Sequence, residues 1–259
     1  MPTPPSQAAS LVLSLSLILG LTGAAAQAQT VVSPLYSATA GTLPNAQGWL
    51  PGVNSTPGAT VQVSNNLLQI STLADNALQF GYGRFSPLPL DTVQGFMLSF
   101  TLRVDGGVSN SPNRSGFSLL FVGSDPSQSL ELTFRSDEVF MYDFVSSDPD
   151  RMVRGATHSF GAGSSNAYEL RVLNNAFTLN VQGQDRFSAP LVNYSSEGFP
   201  YNTANLLFFG DNTTRASTNA FLGNLVLVSN VPEPAAAAMW LLGLAALGGW
   251  TRRRLRCRT

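Results

Sequence analysis

Cysteine and histidine are almost absent from this 259-residue sequence, which contains one of each. The cysteine, Cys257, stands near the carboxyl end, so a domain that ends before it can form no internal disulfide. That domain contains a single histidine, His158, and no cysteine, so a His/Cys zinc site is also excluded there. We therefore expect packing alone to stabilise the domain, with no metal and no cofactor.

Lysine is missing altogether, and the fourteen basic residues are all arginines. Residues 29–230 contain nine of these arginines and fourteen acidic residues, a net charge of −5, while the other five arginines cluster in 252–258. A mildly acidic domain lacks the basic surface that nucleic-acid binding requires. We expect no nucleic-acid partner.

Motifs of nucleophilic catalysis are also lacking. A Ser-His-Asp triad would have to use His158, yet no Gly-x-Ser-x-Gly elbow is present to expose a nucleophilic serine. His158 stands just before a glycine-containing polar stretch, so we predict that it is a surface loop residue.

Paired carboxylates would be needed for a glycosidase on a β-sandwich, and they must lie two or four residues apart to share one strand face. Glu131 has no acidic residue at position 129, 133 or 135. Glu138 and Asp143 have opposite parity and therefore point to opposite faces. We predict no catalytic residue, and a diverged glycoside hydrolase stays an alternative.

Two short polar stretches offer oxygen atoms of the kind that calcium prefers. They are Asp148-Pro149-Asp150 and Asp211-Asn212-Thr213-Thr214. Such residues more commonly cap turns by bonding to nearby backbone groups. We predict no metal site, with calcium binding by these loops left open.

Strand signals dominate residues 30–230, and no convincing amphipathic helix occurs there. Every second residue is apolar in 98–104, 130–134 and 177–181, which is the period of a half-buried strand. Further strand-like runs occur at 61–63, 67–72, 77–82, 117–122, 138–144, 168–173, 206–209 and 222–228. About a dozen short strands predict an all-β fold, an antiparallel two-sheet sandwich or jelly roll.

Turn chemistry separates these strands. Asn174-Asn175 tolerates the left-handed conformation of a tight hairpin, so 168–173 should pair with 176–181. Residues 105–116 and 145–166 are rich in Ser, Gly, Asp and Asn and are predicted to be long polar loops.

The first 28 residues are typical of a secretory signal peptide. An apolar run from Leu11 to Leu21 precedes the small-x-small site Ala26-Gln27-Ala28, which predicts cleavage between Ala28 and Gln29 after export by the Sec translocon. No lysine or arginine precedes the run, so either the amino terminus supplies the positive charge or the true start of the protein lies elsewhere. The run is too short for a membrane anchor.

The last 29 residues, 231–259, differ from everything before them. Residues 235–250 are uncharged and helix-favouring, and a helix of that length reaches about 24 Å, near the lower limit for crossing a membrane. Arg252, Arg253 and Arg254 follow it directly and should stay in the cytoplasm, leaving the domain outside. We predict one short transmembrane helix at 235–251 and a basic tail at 252–259.

Pro232-Glu233-Pro234, the apolar run and the arginine cluster together resemble a PEP-CTERM sorting signal. The resemblance implies a Gram-negative bacterium whose membrane exosortase recognises the triplet and removes the tail. Proteins of this kind typically accompany exopolysaccharide production. The expected destination is the cell surface or the extracellular matrix.

The domain itself, residues 29–230, is similar to the choice-of-anchor Y family. Three stretches carry the resemblance: Gly41 to Trp49, Asn113 to Ser118, and Asn205 to Thr214. The resemblance implies a fold similar to concanavalin A-like lectins and laminin G modules, carried on a C-terminal anchor. It implies no activity.

These observations favour a non-enzymatic, exported surface or matrix protein. The first alternative is a carbohydrate-binding, lectin-like module, which needs exposed aromatic side chains near a concave sheet face. Trp49, Phe199 and Tyr201 are the candidate glycan contacts, and exopolysaccharide is the candidate partner.

Overall fold

A computed structural model describes residues 28–52, 56–145, 147 and 151–232. The predicted signal peptide up to Gln27, Glu233, Pro234, the helix at 235–251 and Arg252 to Arg254 lie outside these residues. Ala28 and Gln29 begin the first strand, and Pro232 ends the last one. No helix within the described part of the chain is long and apolar enough to cross a membrane.

The described part of the chain forms fifteen strands, which are arranged in two sheets. The eight-stranded sheet contains β1 (Ala28–Tyr36), β3 (Thr60–Ser64), β4 (Leu67–Ser71), β6 (Phe96–Val104), β11 (Asn166–Leu173), β12 (Ala176–Val181), β13 (Gln184–Pro190) and β15 (Asn219–Pro232). The seven-stranded sheet contains β2 (Leu50–Pro51), β5 (Phe80–Phe85), β7 (Phe117–Val122), β8 (Ser129–Phe134), β9 (Glu138–Phe144), β10 (Met152–Ser159) and β14 (Leu206–Asp211). Three short 3-10 turns lie at Ala38–Ala40, Pro44–Gln47 and Ser195–Glu197.

Neighbouring strands are antiparallel along both sheets. The eight-stranded order is β13-β12-β11-β6-β15-β4-β3, with β1 also paired to β15, and the seven-stranded order is β10-β9-β8-β7-β14-β5-β2. Non-consecutive neighbours, such as β6 between β11 and β15, require crossover connections between the sheets. The predicted antiparallel two-sheet sandwich is therefore confirmed, in agreement with a jelly roll.

The core lies between the sheets. Strand β6 buries each second residue from Phe96 to Val104, as the alternation predicts. Phe100 stacks on Tyr168 of β11 with ring centroids 5.1 Å apart and meets the edge of Phe134 from the other sheet at 6.0 Å. These contacts join the two sheets through aromatic side chains.

The hairpin between β11 and β12 confirms the prediction from its turn residues. Leu173 pairs with Ala176, and Tyr168 pairs with Val181. Asn174 and Asn175 both adopt left-handed conformations, with φ of 52° and 57°. This is the geometry that joins twisted strands through two residues.

The prediction of half-buried strands is wrong for β8. All six residues of this strand are buried, including Glu131 and Thr133. Both faces of β8 are buried because a second apolar cluster covers the outer face of the seven-stranded sheet. We use outer face for the face of this sheet that is directed away from the other sheet. Segment 193–205 contributes Tyr194 and Tyr201 to this cluster and covers that face.

The predicted loop at 145–166 is also wrong in part, because β10 occupies Met152–Ser159. Its register on β9 shifts between Arg154 and Thr157, a bulge that interrupts the alternation of side chains. His158 consequently lies on this edge strand opposite Val139 instead of in a loop. Partial burial, with a smaller effect of Arg186, lowers the pKa of His158.

Candidate functional site

The three predicted glycan contacts lie in different environments. Trp49 is 1% exposed, packs on Phe209 with ring centroids 4.6 Å apart, and donates from its indole nitrogen to the Leu35 carbonyl at 2.8 Å. Its ring therefore faces the core and does not offer the exposed surface that stacking on a sugar needs. Tyr201 is 9% exposed, whereas Phe199 is 59% exposed.

Two stretches that carried the choice-of-anchor Y resemblance meet on the outer face of the seven-stranded sheet. The stretch from Asn113 to Ser118 contributes Arg114, Ser115 and Ser118, and the stretch from Asn205 to Thr214 contributes Asn212 and Thr213. Together with Glu131, Tyr142, Met152 and Tyr201 they line a cavity of about 80 Å³. We call this cavity the outer pocket.

Strand parity explains why these side chains converge. Leu119 and Phe121 of β7 belong to the core between the sheets, so Ser118 and Leu120 face outward. Glu131 lies opposite Leu120 and is therefore on the same outward face of β8. The 193–205 segment then places Tyr201 over this face.

A chain of hydrogen bonds organises the pocket. The hydroxyl of Tyr201 donates to Glu131 Oε2 at 2.6 Å, and Asn212 Nδ2 donates to the Tyr201 hydroxyl oxygen at 3.0 Å. The hydroxyl of Tyr194 donates to the carbonyl of Tyr142 beneath the same segment. The segment at 193–205 is thus fixed to strands β8 and β9 by tyrosine hydroxyls.

Burial dominates the electrostatics of the pocket. It raises the pKa of Glu131, and the hydrogen bond from Tyr201 and the positive charge of Arg114 oppose this rise. Burial also raises the pKa of Tyr142 to about 12, and it raises the pKa of Tyr201 well above its usual value. The tyrosines are therefore donors at neutral pH and are not poised to act as general bases.

Arg114 holds the rim of the pocket. Its guanidinium lies over the Tyr142 ring, 5.2 Å from the centroid, and Nη1 donates to the Met152 carbonyl at 2.7 Å. Arg135 reaches the same loop, because its Nη2 donates to the carbonyl of Arg114 at 2.8 Å. The arginines thereby attach the polar loop at 105–116 to the sheet.

The carboxylates that we considered for glycosidase chemistry are not arranged as a pair. Glu131 is buried beside Tyr142 of β9. Glu138 precedes Tyr142 by four residues in that strand, which at the rise of a strand places its backbone roughly 13 Å from that of Tyr142. Glycosidase pairs are about 5–10 Å apart. Glu138 is bound by Arg135 and Arg154 instead. Asp143 has the parity of the core residue Met141 and points to the other face.

Asp211, from one of the two stretches considered for calcium, is held by hydrogen bonds to neighbouring residues of the fold. Its carboxyl group accepts from the Thr72 hydroxyl at 2.5 Å and from the backbone amide of Thr213 at 3.1 Å. No group of three or more His, Cys, Asp or Glu side chains able to hold a metal occurs among the described residues. Asp148 and Asp150 lie outside those residues.

Sequence reasoning missed most of this site. Glu131 is an acidic residue between apolar neighbours in a strand, which is a signal of a buried polar group, but it has no acidic partner at strand spacing that would indicate a site. Arg114 and Asn212 were visible only as members of the two stretches that carried the family resemblance. Their proximity depends on the crossover connections of the sandwich.

Comparisons with known proteins identify a sorting motif near the carboxyl end and solved structures of similar fold. The family model of the PEP-CTERM protein-sorting motif matches residues 230–254. No curated protein matches the chain.

Among solved structures, a carbohydrate esterase from the Shiga toxin-encoding bacteriophage phi24B superposes with a TM-score of 0.56 at 15% identity, covering 77% of this chain and 100% of that one. A sialidase gives a TM-score of 0.49 at 14% identity and 78% and 19% coverage. The carbohydrate recognition domain of Emp46p, in its metal-free form, gives 0.47 at 12% identity and 76% and 96% coverage. At these identities the likeness concerns the fold alone.

Proposed function

We propose that this chain is the precursor of a non-enzymatic bacterial protein that is exported, sorted by an exosortase, and delivered to the cell surface or the extracellular matrix. The observation that carries the proposal is the PEP-CTERM motif match at residues 230–254, which begins in the last three residues of the final strand β15. Association with exopolysaccharide belongs to the proposal through the sequence resemblance alone, as does membership of the choice-of-anchor Y family.

The parts of the tail have separate tasks in this proposal. The apolar helix at 235–251 and Arg252 to Arg254 hold the precursor in the inner membrane, because positive charge resists translocation. A residue before proline is pushed away from helical conformations, so Pro232, Glu233 and Pro234 would present an extended segment to the enzyme. Cleavage then releases the domain from its membrane anchor.

Glu233→Ala tests this assignment in the native host. The variant should remain full length in the membrane fraction, whereas the wild type loses a tail of about 3 kDa and leaves that fraction, as seen on an immunoblot. The matched control is Glu169→Ala, which removes an exposed glutamate from β11 and should be processed normally. If the wild type keeps its tail with and without the host's exosortase, the segment is a plain anchor.

A lectin-like role is the finer proposal for the domain. Phe199 offers an exposed ring two residues from Tyr201, whose hydroxyl reaches the outer pocket. An exposed aromatic ring beside polar groups suits a sugar, which has an apolar face and several hydroxyl groups. We propose that glycan contacts on the outer face centre on Phe199.

A glycan array probed with the purified chain tests this role. Phe199→Ala should lose the glycan signal, and Phe85→Ala is the matched control because Phe85 is 60% exposed at the end of β5. Loss in both variants, or in neither, would remove Phe199 from the binding surface. The separation of Glu131 from Glu138 supports binding in preference to hydrolysis.

A further inference from the structure

A second cavity opens at one end of the sandwich. It lies where the loop after β6, the turn between β8 and β9, and the segment before β15 meet, and its volume is about 260 Å³. Small-molecule sites typically have volumes of ~300–1,000 Å³, so this cavity, which we call the end cleft, approaches that range. Ser115 lines both the end cleft and the outer pocket.

Backbone packing fixes the walls of the end cleft. A Cβ atom on Gly107 would lie 2.1 Å from the Ser217 carbonyl oxygen, and one on Gly116 would lie 2.3 Å from the Ser217 carbonyl carbon. Val108 and Ser217 are further joined by two hydrogen bonds, one from the Val108 amide to Ser217 Oγ at 3.1 Å and one from the Ser217 amide to the Val108 carbonyl at 2.8 Å. The cleft is therefore a preformed cavity with walls of closely packed main chain.

Oγ1 of Thr218, a lining residue that is 1% exposed, is buried without a hydrogen-bond partner among the described residues. Nε of Arg135 is unpartnered too, but its guanidinium lies over Phe140 on the outer face of the seven-stranded sheet and not in the cleft. Buried polar groups in native proteins nearly always have partners, because an unpaired one costs about 1–3 kcal/mol. A molecule within the cleft would supply the missing hydrogen-bond partner of the Thr218 hydroxyl.

The lining indicates the chemistry of that molecule. Phe134 and Val104 contribute apolar surface, and Val108 stands at the cleft 58% exposed. Serine and threonine hydroxyls and glycine backbone supply most of the polar surface. One arginine and one aspartate, Arg135 and Asp137, leave the lining without a net charge, so an ionic ligand gains little.

We propose that the end cleft binds a neutral monosaccharide ring, either free or as the end of a glycan. Such a ring has an apolar face for Phe134 and Val108, and hydroxyl groups that can both donate and accept. Those hydroxyl groups can pair with the Thr218 hydroxyl. This site is separate from the contacts proposed around Phe199, and either can fail without the other.

Ligand-observed saturation-transfer NMR tests the site on the full chain, kept in a detergent that contains no sugar. The probes are D-glucose, D-galactose, D-mannose and N-acetyl-D-glucosamine at millimolar concentration. We expect saturation transfer to at least one of them. Absence of transfer to all four would overturn the proposal and leave water as the occupant.

Variants locate the binding. Val108→Trp should block the cleft and abolish transfer, while Val93→Trp is the matched control, since Val93 is 52% exposed at the other end of β6. Thr218→Val removes only the unpaired hydroxyl and should weaken binding by roughly threefold or more with the melting temperature unchanged or raised. Transfer that survives both Val108→Trp and Thr218→Val, or that disappears in Phe199→Ala alone, would place the sugar elsewhere.

Discussion

Tyr201 and Glu131 are seventy residues apart in the sequence and share a 2.6 Å hydrogen bond inside the outer face of the seven-stranded sheet. The tyrosine hydroxyl donates, and both side chains are almost fully buried. Because Tyr201 belongs to the segment that covers the sheet, this bond attaches the cover to β8. The covering segment is thus part of the fold, although its residues form no strand there.

Tyr201→Phe should lower the free energy of unfolding by about 1–3 kcal/mol, because it leaves the buried Glu131 without the 2.6 Å hydrogen bond from the Tyr201 hydroxyl. Urea denaturation at pH 7 measures the change. Tyr36→Phe is the control: Tyr36 is also buried, but its hydroxyl makes only a 3.3 Å bond to the Thr42 carbonyl. Equal, small losses in the two variants would show that the Tyr201–Glu131 bond contributes little.

Phe100→Ala should destabilise the protein by about 3–5 kcal/mol, since it removes a ring that packs on Tyr168 and Phe134 in the core. Phe199→Ala removes the same number of atoms from a side chain that is 59% exposed. We expect that control to change stability by less than about 0.5 kcal/mol. Thermal denaturation of the two variants compares the sites directly, and a near-wild-type Phe100→Ala would contradict the inward orientation of this residue.

Local patterns predicted the parts of the fold that depend on local chemistry. The alternation in 98–104 fixes which face of β6 is buried, and the two asparagines at 174 and 175 fix a hairpin. Both follow from the geometry of a single strand or turn. The two-sheet architecture could be inferred because many short strands without helices have few other ways to bury their apolar faces.

The site could not be predicted in the same way. Alternation assumes that one face of a strand meets water, but segment 193–205 covers the outer face and buries Glu131. The bulge in β10 between Arg154 and Thr157 breaks the period that would have revealed that strand. Contacts such as Tyr201 to Glu131 depend on long-range connections, which a single sequence does not specify.

Gly107→Ala should destabilise the end cleft more than Gly106→Ala does. Both glycines have positive φ, 148° and 135°, so alanine is strained at either position. Only at Gly107 would the added Cβ meet another group, the Ser217 carbonyl oxygen at 2.1 Å, whereas at Gly106 it would meet nothing within 4 Å. The difference between their unfolding free energies in urea isolates the clash, and equal values would show that the loop moves away without cost.

Asp211 connects the two sheets at one end of the sandwich. Its carboxyl group accepts from the Thr72 hydroxyl, and Thr72 Oγ1 in turn accepts from the Thr218 amide at 2.9 Å. Burial raises the pKa of Asp211 from 3.8 to about 8, and the bonds from Thr72 and Thr213 only partly oppose that rise. The folded protein therefore retains a proton at neutral pH that the unfolded chain releases.

This proton makes stability fall as pH rises. Asp211 binds the proton more tightly in the folded state, so its contribution is complete below pH 3.8 and is lost as the pH rises through about 8. Within that window the loss approaches about 1.4 kcal/mol per pH unit.

Asp211→Asn imitates the protonated carboxyl group without titrating, so the unfolding free energy of this variant should change less with pH. Urea denaturation of both proteins at several pH values within the window measures the difference, which should grow in favour of the variant as the pH rises. Because Glu131 titrates in both proteins, its own raised pKa cancels from the comparison. Parallel curves would mean that Asp211 is ionised in the folded protein throughout this range.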